Sequence, residues 1–248
     1  MADERYAEFM EETPKIWLQS LFEESSTQKY PLGTERLLSD GRVFVYCEVG
    51  AANLAVGKLV QGEAIEANHA NINVANVANA VANATRLATV TLSNANLAAN
   101  AYAEGFMNVE DGTGLGYAYK VKSHPAANAN ADVVVTLYDK LRANLTSAHV
   151  TLVKHPCRDV IVTPAAATQK IVGVPVAVMT ANYFGWIQKK GPASVLVAGT
   201  LVAGDMAYEA ANGAAGPPAA NTVPTTQYIG RVLHLGANTE YGLVDLEL

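Results

Sequence analysis

The feature that most limits what this chain can fold into is a long series of short β-branched runs, each closed by Gly, Pro, Asn or Asp. The runs cover residues 87–92, 101–111, 114–123, 131–139, 149–155 and 158–164, and then 174–179, 183–188, 194–199, 204–210, 228–235 and 241–248. Val, Ile, Thr and aromatic residues fit a pleated, half-buried surface, and the punctuating residues supply turns. No helical periodicity separates the runs, so they point to hairpins and not to strand–helix–strand units. The fold expected is mainly β: a sandwich or barrel of short antiparallel strands, preceded by an N-terminal amphipathic helical arm.

The β texture begins after Gly33. Asp40-Gly41 is a tight-turn dipeptide, and Val43, Val45, Cys47 and Val49 then alternate with Phe44 and Tyr46 on the opposite face. The same period-two reading names a core of Val43, Val45, Val90, Leu92, Val133, Val135, Val150, Leu152, Val160, Val162, Val195, Val197, Val232 and Leu243. Residues 212–226 carry three prolines and read as a loop. Three regions are expected: the arm at 1–33, a central β domain at 34–165, and a barrel-like part at 166–248. The last two can also form one composite domain.

The arm differs in texture. Tyr6, Phe9 and Met10 fall on one helical face, and Thr13-Pro14 reads as an N-cap and first turn that restart a helix. Trp17/Leu21 and Leu18/Phe22 are then i, i+4 pairs, so Trp17, Leu18, Leu21 and Phe22 are the candidate partner-binding residues. Pro31 and Gly33 end the segment. Residues 67–84 form an Ala/Asn/Val insertion, readable either as a helix with an Asn stripe or as an ordered loop.

Composition narrows the function. The chain has 248 residues, 50% apolar and only 16% charged, with a net charge of −6. That balance lacks the basic face of a nucleic-acid binder. No apolar run approaches the roughly 18 residues of a membrane span. The opening MADERYAEFMEE has no basic and apolar regions of a signal peptide. The sequons at Asn83 and Asn144 therefore carry no information, and two cysteines, Cys47 and Cys157, suit a reducing compartment better than a disulfide scaffold.

Chemistry-bearing motifs are sparse. Asp111 to Gly116 (DGTGLG) lacks the Lys-Ser/Thr ending of a phosphate loop and reads as a hairpin turn. The histidines, His69, His124, His149, His155 and His234, show no metal spacing; His149, His155 and Cys157 form only a thin pattern without a fourth ligand. No serine lies in a G-x-S-x-G elbow. Glu104, Glu110 and Asp111 are the carboxylates that a carbohydrate-active reading would need. Lys189-Lys190 before Gly191-Pro192 reads as a hairpin tip, solvated or in contact with an acidic partner. No catalytic residue, cofactor or metal is expected.

Several stretches together resemble the head decoration, or cement, proteins of tailed bacteriophages. They are residues 32–50 and 54–61 as an opening strand pair, 99–127 as a central hairpin continued by 136–141 and 149–156, and 183–205 with 228–233 as a closing barrel. The resemblance spans roughly residues 31–248. It rests on turn and packing residues in order, and the arm and the Asn-rich insertion depart from it. It implies a non-enzymatic virion protein, made in the host cytoplasm, on the outer surface of the icosahedral capsid. The implied partner is the major capsid protein, and the implied assembly a homo-oligomer, commonly a trimer, with neither nucleic acid nor membrane bound. A tail, fibre-base or host-binding structural protein is the alternative, and a carbohydrate-active enzyme the third reading.

Overall fold

The computed structural model describes residues 17–75, 85–217, 226–234 and 236–248. Among these residues sixteen strands form two antiparallel sheets. In chain order they are β1 (Glu35–Leu37), β2 (Val43–Glu48), β3 (Val60–Gln61), β4 (Ile72–Asn73), β5 (Leu87–Thr91), β6 (Phe106–Val109), β7 (Ala118–Ser123) and β8 (Asp132–Leu137). There follow β9 (His149–Val153), β10 (Ile161–Val162), β11 (Ile171–Pro175), β12 (Phe184–Leu196), β13 (Met206–Ala210), β14 (Ala214–Gly216), β15 (Tyr228–His234) and β16 (Tyr241–Glu247). The chain is mainly β, as its runs require. The only helices among the described residues are single 3-10 turns at Ala67–His69 and Ala211–Gly213.

The six-stranded sheet runs β4-β9-β6-β7-β8-β5 and is built wholly from residues 72–153. Its first and last strands meet through the Val74–Val90 bridge, so the sheet curls back on itself. Every second residue of β8 is buried and those between are exposed or half-buried, which gives it a single inner face. That face holds Val90, Met107, Tyr119, Val121, Val135, Leu137, Val150 and Leu152. The turn at 110–117 joins β6 to β7, as the glycine-rich run predicts.

The ten-stranded sheet takes strands from both sides of that segment. Its order is β10-β3-β11-β12-β16-β15-β13-β14, with β2 added on β12 and β1 on β2. The expected boundary at 165/166 thus falls between β10 and β11, two strands that both pair with β3. Both connections to the six-stranded sheet are pinned at the junction. Lys154 holds Glu63 from one and Asp159 from the other, at 2.6 Å for the latter. Arg158 reaches Glu48 of β2 and the Ala103 carbonyl of the six-stranded unit.

Eleven of the fourteen core candidates are buried; Val43 and Val162 are half-buried, and Leu243 is 37% exposed on the outer face of β16. Two expected runs, 183–188 and 194–199, are one strand. Lys189-Lys190 is therefore no hairpin tip but part of a bulge inside β12. Gly191 takes φ +86°, and Pro192 brings no N–H to the ladder. The buried Gln188 amide lies within hydrogen-bond distance of the carbonyls of Lys190, Gly191 and Pro192 and so braces the bulge from the inside. Strand β14 lies within residues 212–226, expected to be a loop; Ala214 to Gly216 pair with β13 ahead of the prolines. Of the Asn/Ala-rich insertion, 67–69 form a 3-10 turn and Ile72–Asn73 a strand, while 76–84 lie outside the described residues.

Candidate functional site: the N-terminal strap and a thiol pocket

Two places concentrate groups that could do something, and both lie on the ten-stranded sheet. The first is the arm. Its expected features at Tyr6, Phe9, Met10 and Thr13-Pro14 fall outside the described residues. From Trp17 onward the arm is a strap of turns and bends, without the α-helix that the i, i+4 pairs predict. The reason is an alternative set of partners. Gln19, buried, gives its amide to the Glu23 and Phe184 carbonyls at 2.7 and 2.9 Å and accepts from the Tyr46 hydroxyl at 2.9 Å. Ser25 pairs with Phe184 as an added strand residue, with N–H···O bonds of 2.9 and 2.8 Å. The Glu24 carboxylate accepts from the backbone N–H and the hydroxyl of Thr180.

This geometry divides the four candidate residues into pairs. Trp17 stands edge-on to Trp186, 5.2 Å between centroids, with the Arg36 guanidinium 4.8 Å over its ring. Tyr30 sits 5.6 Å from Trp17 and 5.3 Å from Tyr46, closing an aromatic cluster over β2 and β12 that Leu21 also joins. Leu18 and Phe22 turn away and are 71% and 69% exposed. Of the four, Trp17 and Leu21 are thus anchors within the chain, and only Leu18 and Phe22 present apolar surface to solvent.

The second place lies beneath the strap's end. Cys47 points inward from β2, and Cys157 sits in the turn at 155–158 that leads into β10. Glu48 N–H donates to the Cys157 carbonyl at 2.8 Å, which sets the two segments side by side. Both thiols are free and buried in one apolar cluster with Val45, Val49, Val60 and Val160. Cys157 N–H donates to His155 Nδ1 at 3.1 Å, so the neutral imidazole carries its proton on Nε2. Gly33 (φ +78°) makes this packing possible: a Cβ there would stand 2.6 Å from His155 Cε1. Cys157, His155, Gly33, Lys170, Lys189 and Glu35 are among the residues lining a pocket of about 190 Å³. Lys189 Nζ bonds Glu35 across it at 2.5 Å.

The two thiols differ in electrostatics. A hydrogen bond from Cys47 lowers the Cys157 pKa, and His155 and the Lys189 charge add to this against the opposing effect of burial. Burial pushes Cys47 well up, reinforced by the neighbouring Cys157. These opposite directions make Cys157, which lines the pocket, the more acidic thiol of the pair.

The remaining sequence candidates are dispersed. His149 leaves the thin His/Cys pattern and pairs with Asp111, whose carboxyl that contact holds below its usual range. Glu110 accepts from the Thr151 hydroxyl at 2.5 Å, and Glu104 from the Gln28 amide and the Leu32 N–H. Each carboxylate of the carbohydrate-active reading is committed to a local contact. His69 and His124 flank the buried Tyr102, through its hydroxyl at 2.8 Å and its N–H at 3.0 Å. Among the described residues no group of three or more His, Cys, Asp or Glu is placed to hold a metal ion, and no helix is long and apolar enough to cross a membrane. No family model, curated protein or solved structure matches the chain.

Proposed function

We propose that this protein is a structural component of a tailed-bacteriophage head that binds the outer capsid surface and cements neighbouring major capsid subunits. The observation that carries the reading is the strap: Trp17 and Leu21 fasten it to the ten-stranded sheet while Leu18 and Phe22, on the same short segment, are left exposed. An exposed Leu/Phe pair on a backbone already fixed by hydrogen bonds loses little conformational freedom on docking. The net charge of −6 suits the outside of a shell better than its DNA-lined interior. A cyclic homo-oligomer, a trimer in the simplest case, would engage several straps at once, so modest single contacts would add to a firm attachment.

The test is the copy number of this chain against the major capsid protein in purified particles, by quantitative mass spectrometry. A ratio near one to one supports the cement reading. A handful of copies per particle overturns it in favour of a tail or fibre-base protein.

A further inference from the structure

We propose that Cys157 and Cys47 form a hydroperoxide-reactive dithiol, with Cys157 as the attacking thiol and Cys47 as the one that resolves it into a disulfide. Four observations carry this, and none depends on the capsid reading. The thiols are neighbours although 110 positions apart, one on β2 and the other in the turn before β10. Only Cys157 borders the pocket, at 5% exposure against 0% for Cys47, so a small oxidant meets one sulfur first. His155 is locked against Cys157 by the Cys157 N–H···Nδ1 bond and by the space Gly33 leaves. Lys170 and Lys189 line the same pocket, the latter paired with Glu35, and positive charge beside a thiol that borders a pocket favours the thiolate.

The steps balance. The Cys157 thiolate attacks one peroxide oxygen and the O–O bond breaks. The distal oxygen leaves with a proton as water, or as an alcohol from an organic hydroperoxide, and Cys157 becomes a sulfenic acid. Cys47 then attacks that sulfur, the S–O bond breaks, and the hydroxyl leaves as water with the Cys47 proton. Two thiols and one hydroperoxide become one disulfide, one water and one water or alcohol. The product ties β2 to the entry of β10, so the whole six-stranded sheet lies within the closed loop.

The experiment uses the full chain, treated with hydrogen peroxide at neutral pH, quenched by alkylation and read by intact mass and a non-reducing peptide map. The wild type should lose two hydrogens and yield a Cys47–Cys157 linked peptide that a dithiol reductant releases. Cys47→Ala should instead hold one added oxygen on Cys157, trapped by dimedone. Cys157→Ala should leave Cys47 as an unmodified thiol under the same exposure. Two free thiols in the treated wild type, or Cys157 carried to sulfinic acid without the linked peptide, would overturn the proposal. The wild-type result decides the question even where a variant folds poorly.

Discussion

The two sheets solve the same problem differently. The six-stranded sheet curls until its ends meet and buries one face, so its core is complete within residues 72–153. In the ten-stranded sheet, β2 and the first half of β12 are buried on both faces. Val45, Cys47 and Ile187 fill one side, and Phe44, Tyr46 and Trp186 the other. The second side has no sheet to cover it. The strap covers it, with Trp17, Leu21 and Tyr30. A sheet that closes on itself needs nothing from outside; one with a second apolar face recruits a segment, and that segment then carries side chains outward. Both candidate sites lie on the sheet that needed the cover.

The largest effect should separate the two cores. Trp186→Ala removes the centre of the aromatic cluster and should cost ~3–5 kcal/mol, and Leu137→Ala in the other core ~2–5 kcal/mol. Because the clusters share no residue, calorimetry should show each variant lowering a different transition. One cooperative transition moved equally by both would break the comparison.

Within the strap the expected effects split as the geometry does. Trp17→Ala should cost about 2 kcal/mol through lost aromatic packing. Leu18→Ser and Phe22→Ser should each stay within about 0.5 kcal/mol, as exposed positions do. Urea midpoints for the three variants check this, and a large loss at Leu18 would place it in the core instead of at the surface. Next comes Gly33→Ala, which forces a side chain into the left-handed region at a cost of roughly 1–2 kcal/mol and into His155 as well. It should also change the rate at which iodoacetamide labels Cys157, while the wild-type labelling rate should titrate below the ordinary thiol value of about 8.5. The groups lining the pocket beside that thiol are the His155 imidazole and the charged Lys189, Lys170 and Glu35.

The smallest effect is one of pH. His124 accepts the Tyr102 N–H on Nε2 and donates from Nδ1 to the Pro125 carbonyl, which requires the neutral ring. Burial holds its pKa below the ordinary imidazole value, with the Arg158 charge assisting and the Pro125 hydrogen bond opposing. The unfolded chain therefore binds this proton more readily than the folded one. The contribution is complete above the unfolded pKa, near 6.5, and is lost as pH falls through the lower folded value. The six-stranded transition should soften between neutral and mildly acid pH, and His124→Gln should flatten that slope; an unchanged slope in the variant would assign the softening elsewhere.

Much of this architecture was legible in local pattern. Period-two alternation located most strands and eleven of fourteen core residues, because burial on one sheet face repeats every second residue. Gly41 marked the β1–β2 turn for the same kind of local reason. The unusual supply of Asn has a comparable cause: Asn71, Asn100, Asn130, Asn182 and Asn212 all hold positive φ, where Asn is tolerated better than other side chains. What failed was non-local. The bulge in β12 looked like a turn because Gly-Pro serves both, and only the Gln188 side chain distinguishes them. The strap looked helical because its apolar spacing fits a helix, yet Phe184 and Thr180, some 160 positions away, supplied its hydrogen bonds. The Cys47–Cys157 neighbourhood has no spacing signature at all. Only the inward phase of Cys47 on β2 hinted that it would be buried.

The strap also changes how the central claim must be tested. Removing residues 1–30 would strip Trp17 and Tyr30 from the sheet and confuse unfolding with lost attachment. The direct measurement is occupancy of purified phage heads, lacking this protein, by the full chain and by the Leu18→Ser/Phe22→Ser double variant at matched concentrations. The proposed function predicts that the double variant occupies the heads at least about tenfold more weakly, the equivalent of about 1.4 kcal/mol in total, with an unchanged unfolding midpoint. Equal occupancy by the two proteins would contradict it.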